Sequence, residues 1–152
     1  MQILVDADSC PRPAREMVLR FSARLDIKSI FVANRPIPGI PTQRAVMELC
    51  DSNEGAADKR IIELALPGDL VVTRDIPLAE QLVERGITAL DDRGRVFTKE
   101  NIRELRSLRD FTVGLAENGL EFERTSSYGK KDQSALANSL DKELRRYYTA
   151  SG

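Results

Sequence analysis

Two carboxylates one residue apart, Asp6 and Asp8, follow the apolar run Ile3-Leu4-Val5. A buried strand ending in Asp-x-Asp offers oxygen donors where the chain leaves the core, and such donors suit magnesium and manganese. Asp75 comes shortly after the apolar "DLVVT" run, Asp91 and Asp92 follow "ITAL", and Asp58 stands at the start of a helical pattern. Sites in open parallel sheets form beyond the carboxyl ends of the strands, and that rule assigns all of these to one edge. Asp69 precedes its strand, so it is expected at the opposite edge, roughly 15–20 Å away at about 3.3 Å per residue. Carboxylates gathered on one edge repel one another unless a cation sits between them. Two magnesium-type ions roughly 4 Å apart would account for the convergence and define a reaction, in-line attack on a phosphodiester. In that reading Asp6 and Asp75 are the chief ligands, Asp58 a second-metal or water-mediated ligand, and Asp8 a supporting group. Taken singly, each aspartate has a structural account as well, because Asp caps helices and solvates turns. The pairing of Asp6 with Asp75, each behind a buried strand, is what points to a site.

Composition narrows the chemistry. The 152 residues contain no histidine, which excludes Ser-His-Asp and Cys-His catalysis and histidine-ligated zinc. Two cysteines, Cys10 and Cys50, make neither a disulfide framework nor a zinc-ligand set. Cys10 precedes a helix start, which can lower a thiol pKa, but without a histidine partner it reads as buried packing. The net charge of −1 gives no global attraction to nucleic acid, so any such binding needs a local basic surface. With 41% hydrophobic and 31% charged residues, the chain reads as a soluble protein. It has no run of about 20 apolar residues and no signal-peptide pattern, so a cytoplasmic protein without a membrane partner is expected.

The elements that must position these residues alternate between strand and helix. Strands are predicted at 2–6, 28–33, 44–49, 69–73 and 87–90, the third of these open to a helical reading. Helices are predicted at 12–25, 55–66, 76–86, 99–118 and 131–147. Pro11 and Pro13 fit only the start of the first helix, Pro67-Gly68 stops the second, and Gly86 ends the third. Thr98 can cap the fourth. "NRPIPGIPTQ" at 34–43 must be a loop, and 119–130 reads as an irregular linker. Near-continuous apolar strands separated by helices predict an α/β fold, a three-layer sandwich with a mostly parallel central sheet of about five strands. Residues 1–152 read as one domain, with two additional C-terminal helices (about 99–147) packed against or extending it.

Further candidates lie around the same edge. Asn34 and Thr73, at carboxyl ends of strands, could bind substrate or orient a water, or simply close loops. Arg93 is the best single phosphate-binding candidate. Lys99, Arg103 and Arg106 share a helix face, with Arg109 drifting round it. That face could track a phosphate backbone, or be a solvated surface interleaved with Glu100, Glu104 and Asp110. On the last helix Leu136, Leu140 and Leu144 form the core stripe; Asn138 and Asp141 point away from it, and Asp132 lies where a helix favours negative charge. The hydrophobic-Asp-x-Asp start also suits haloacid-dehalogenase-type phosphatases, with the first Asp as nucleophile. Their later Gly-Asp motif follows a strand, however, whereas Gly68-Asp69 precedes one.

The stretches "VDADSCP", "VAN", "AADKRI", "GDLVVTRDIPLA" and "DQSALANSLD" resemble the YaiI/YqxD-like family of uncharacterised bacterial proteins, over nearly the whole chain. That family is similar in fold to PIN-like domains, which include metal-dependent ribonucleases and flap-type nucleases. The resemblance implies a PIN-like acidic site at Asp6, Asp58 and Asp75 with Asp8 added, Mg2+ or Mn2+ as cofactor, and RNA favoured over DNA. Asp132, Asn138 and Asp141 are possible accessory residues. The chain departs from the family pattern at Asp91-Asp92 (usually Asn-Pro), in "NGLEFERTSSYG" (usually carrying Gly-Gly-Pro) and at Gln133 (usually Arg). The expected activity is metal-dependent phosphodiester hydrolysis; the alternative is a non-catalytic nucleic-acid-binding or interaction module of the same fold.

Overall fold

Successive side chains of a strand face opposite sides of a sheet, and the first strand buries both sets: Ile3 and Val5 enter one apolar core and Leu4 another. Only a sheet covered on both faces demands this. In the computed structural model of the chain, which describes residues 1–53, 55–117 and 127–151, that strand, β1 (Gln2–Asp6), is the centre of five. β2 (Lys28–Ala33) and β3 (Ala45–Leu49) lie to one side of it, and β4 (Leu70–Val72) and β5 (Thr88–Leu90) to the other, in the order β3-β2-β1-β4-β5. Every pairing is parallel. The ambiguous third segment is therefore a strand. It is the edge of the sheet, half-buried along much of its length, which explains its weak apolar pattern.

Among the described residues five α-helices complete the three layers: α1 (Arg12–Leu25), α2 (Ala56–Leu64), α3 (Ile76–Glu84), α4 (Lys99–Glu117) and α5 (Lys130–Ser151). Ala14, Val18 and Phe21 of α1 pack with Leu136, Leu140 and Leu144 of α5 against Ile3, Val5 and Phe31. On the other face, Ile61 of α2, Leu78 and Leu82 of α3 and Ile102 of α4 cover Leu4, Ile30, Val32 and Val71. The two C-terminal helices thus divide, one to each face. Burying leucines as completely as the α5 stripe does contributes about 1.5–3 kcal/mol per side chain before entropy is counted.

Helix boundaries have local causes. Pro13 and Pro77 occupy first-turn positions, where a missing N–H leaves no bond unmade. Thr98 Oγ1 accepts from Asn101 N at 3.0 Å while Asn101 Oδ1 accepts from Thr98 N at 2.8 Å, a reciprocal cap at the start of α4. Between Asp6 and α1 the chain makes one 3-10 turn, Ala7–Ser9, that the sequence pattern did not announce. Of the linker expected at 119–130, residues 119–126 lie outside the described residues. No helix among the described residues is long and apolar enough to cross a membrane.

The Arg93-Gly94 turn is where α5 meets the end of β5. Gly94 has φ +87°, and a Cβ there would stand 2.4 Å from the Ala135 carbonyl oxygen. The Ser139 hydroxyl donates to the Gly94 carbonyl, so the helix backbone sits directly on the turn. Gly94→Ala should therefore destabilise the protein by about 2–5 kcal/mol, the sum of left-handed backbone strain and a methyl group forced into packed backbone. Urea denaturation checks this; a loss below about 1 kcal/mol would mean that α5 can back away from the turn.

Candidate functional site

From β1 the chain turns to β2 on one side, and after β3 it crosses back to lay β4 on the other side of β1. Strand order reverses between β1 and β4, and the crevice beyond their carboxyl ends is where ligands bind in sheets of this kind. The register ends with Val5 opposite Val72. One residue further, Thr73 Oγ1 donates to Asp6 Oδ2 at 3.0 Å. The same oxygen accepts from Asp75 N at 3.0 Å. A single buried hydroxyl thus links the end of β1 to the residue that opens α3.

Asp75 caps that helix, its Oδ1 accepting from Leu78 N at 2.9 Å. Asp58, in the first turn of α2, reaches hydrogen-bonding range of Asp75. Burial first, then the hydrogen bond and charge of Asp75, then the charge of Asp6, push the Asp58 carboxyl up to about 7. Asp6 is also raised, mainly by burial; the Thr73 hydrogen bond opposes this, and the charges of Asp75 and Asp8 add to it. Asp8 is exposed, with Oδ2 accepting from Asn34 N at 3.0 Å. Asp75 therefore acts on both Asp6 and Asp58, Asp6 acts on Asp58, and Asp8 acts on Asp6.

Asp69 lies at the other end of β4, as its position before the strand requires. It accepts from Gln2 N (3.1 Å), Gln2 Nε2 (3.1 Å) and Leu66 N (2.9 Å). The strand is short, so the step from Asp69 to Thr73 spans about 13 Å, less than the 15–20 Å expected. Gly68-Asp69 thus belongs to the amino-terminal edge and supplies no second acidic motif of phosphatase type.

The acidic groups are oxygen donors without histidine or thiolate, which is the donor chemistry of a hard cation. Burial raises the Cys10 thiol to about 12, so it remains a neutral packing group. The placement is less complete than the chemistry. Among the described residues, no three such side chains are arranged so that they could hold one metal ion. Asp58 and Asp75 pair with each other, and Asp6 is held by Thr73.

The other candidates separate. Thr73 is 2% exposed and its hydroxyl is engaged on both sides, so it positions the carboxylates rather than facing a ligand. Asn34 engages Asp8 through its backbone. Arg93 stands 3.8 Å from Asp132, which also accepts from Gly129 N. Asp141 pairs with Arg145 at 2.9 Å, and Asn138 is exposed. Arg106 pairs with Glu80 of α3 at 2.7 Å, and Lys99 and Arg103 line the same groove with Glu84 and Asp110. The basic face of α4 is thus met by acidic side chains. The sequence reading passed over Arg74, whose guanidinium pairs with the buried Asp92; an arginine flanked by Thr73 and Asp75 gave no pattern that named its partner.

A family model described as "Uncharacterized BCR, YaiI/YqxD family" matches residues 4–146. A UPF0178 protein of Treponema pallidum (strain Nichols) is 48% identical over 146 residues, covering 96% of this chain and 82% of its own. Its counterpart in Treponema denticola is 44% identical over 146 residues (96% and 93%). The one in Myxococcus xanthus is 42% identical over 147 residues (96% and 95%). No solved structure matches the chain.

The raised Asp58 fixes the sign of a pH effect. Ionising this group costs the folded state more than the unfolded one, so the cost is absent below about pH 4, grows as pH rises and is complete above about pH 7. In chelator, Asp58→Asn should gain stability over the parent as pH rises from about 4 to about 7; a difference that stays constant over that range by urea denaturation would disprove the coupling. Thr73→Val removes the one donor that favours ionised Asp6, so the Asp6 carboxyl should titrate higher still, with a loss of about 1–3 kcal/mol at neutral pH. Carboxyl-carbon NMR follows the first effect, and an unmoved Asp6 titration would show that the hydroxyl does not set its charge.

Proposed function

The chain belongs to the YaiI/YqxD family of uncharacterised bacterial proteins, and from the chemistry of its acidic edge we propose that it is a divalent-metal-dependent nuclease of PIN-like type, acting on RNA in preference to DNA. The observation that carries this reading is the load that Asp75 places on both Asp6 and Asp58 in the crevice where the strand order reverses. Two partly buried carboxyls, Asp6 and Asp58, raised by burial and by the charge of Asp75, are a standing demand for positive charge. Nothing about helix capping requires that arrangement, since one carboxylate suffices for a cap.

Asp6, Asp58 and Asp75 would hold Mg2+ or Mn2+, with Asp8 in support, and the ion's charge would offset the repulsion that raises Asp58. A bound ion of this type supplies charge stabilisation at a phosphate and lowers the pKa of an attacking water. The rest falls to the chain itself. Thr73 keeps Asp6 and the Asp75 backbone in fixed relation, and the α3 cap fixes the Asp75 rotamer. No histidine or lysine base is needed in such a site.

A second reading is a nucleic-acid-binding module of the same fold without turnover. What favours it is that no three carboxylates among the described residues stand ready for one ion. Hydrolysis assays on RNA and DNA with manganese separate the two. Asp75→Asn preserves the helix cap, because Asn caps about as well as Asp. It should lower hydrolysis by more than about a hundredfold, since even groups one step removed from a metal cost about 10–100-fold. Asp69→Asn, at the opposite edge, should lower stability and leave the rate alone. Cleavage that survives Asp75→Asn would be a contaminant's, and a protein without cleavage would be the binding module.

A further inference from the structure

Beside the acidic edge lies a pocket of about 320 Å³ lined by Ala7, Asp8, Arg15, Arg35, Pro36, Ile37 and Pro38. Its two walls come from the turn after β1 with α1, and from the loop after β2. Two guanidinium groups against one carboxylate leave it with a net positive charge, in a chain whose overall charge is −1. Arg15 is fixed by donating to the Cys10 carbonyl at 2.7 Å. Arg35 is exposed, and among the described residues it makes no hydrogen bond or ion pair. A guanidinium held ready beside one already oriented is suited to a phosphate, which guanidinium groups grip in a bidentate fork.

The remaining wall is apolar and stiff, because two prolines limit the loop. Asp8 both lines this pocket and, through Asn34 N, ties the loop to the acidic edge. A chain lying across the crevice between β1 and β4 would pass Asp8 next. We propose that this pocket seats one nucleotide of a single-stranded nucleic acid, its phosphate on Arg15 and Arg35 and its sugar or base against Pro36, Ile37 and Pro38. The pocket's volume, at the lower end of the range for small-molecule sites (about 300–1,000 Å³), admits one such unit and not a duplex. The assignment rests on the nuclease reading for its direction, since it places the strand beside the carboxylates, but its binding chemistry is independent of turnover.

The test is fluorescence anisotropy with labelled ten-nucleotide single strands of RNA and DNA and the matching duplex, in calcium and in chelator, over a range of salt. Arg35→Ala should weaken single-strand binding about tenfold and lower the slope of log affinity against log salt by about 0.7, the value for one single-strand phosphate. Arg15→Lys, which keeps a donor for the Cys10 carbonyl but loses the fork, should weaken binding in the same direction. Arg106→Ala, on the acid-paired face of α4, should change neither quantity. The pocket is refuted if Arg35→Ala retains parental affinity and slope, if the duplex binds as well as the strand, or if no strand binds. The nuclease reading fails separately: a strand bound through Arg35 but never cut sinks hydrolysis and leaves the pocket. Cutting that depends on Asp75 but not on Arg35 sinks the pocket and leaves hydrolysis.

Discussion

The parallel pairing of β1 with β4 is the constraint from which the candidate site follows. It aligns Val5 with Val72, so the next residue on each strand, Asp6 and Thr73, must face each other where both leave the core. The hydroxyl of Thr73 then has two duties, donating to a buried carboxylate and accepting from the backbone that opens α3. A slip of one residue would turn the side chains to the opposite face and bury Asp6 among aliphatic groups.

Aspartates at the two ends of this sheet show how surroundings decide the state of one side chain. Asp69 is 6% exposed and receives three hydrogen bonds, from both nitrogens of Gln2 and from Leu66 N. It is a satisfied structural corner. Asp6, 8% exposed, has the Thr73 hydroxyl and two like charges, and burial dominates its balance. Asp75 shows that capping a helix and belonging to an acidic cluster are compatible: the cap orients the carboxylate that Asp58 then meets.

Much of this was legible in the residues. Runs such as Ile3-Leu4-Val5 and Leu70-Val71-Val72 can be apolar at successive positions only if both faces of a sheet are covered, and the carboxyl-edge rule then sorts Asp6 and Asp75 from Asp69. Helix ends were legible wherever a local cause sets them: Pro13 and Pro77 at starts, Thr98 at a cap, Gly86 past the end of α3 with φ +76°. The third strand was ambiguous because an edge strand buries too little to show a period. The basic face of α4 was ambiguous because Glu80, which pairs with Arg106, belongs to a different helix.

By itself, then, the sequence determined the alternation of strands and helices, the absence of histidine from any chemistry the chain can do, and the sheet edges at which Asp6, Asp75 and Asp69 lie. These depend on local periodicity and on residue type, which contacts distant in sequence do not alter. Tertiary structure alone decided that α4 and α5 cover opposite faces, that Arg74 pairs with Asp92, that Thr73 joins Asp6 to Asp75, and that Arg15 and Arg35 share a pocket. Each of those joins residues between 18 and 69 positions apart or sets whole helices against the sheet. Such meetings are fixed by strand order and register, which bring separate segments together in space and leave no mark on the periodicity of any one of them.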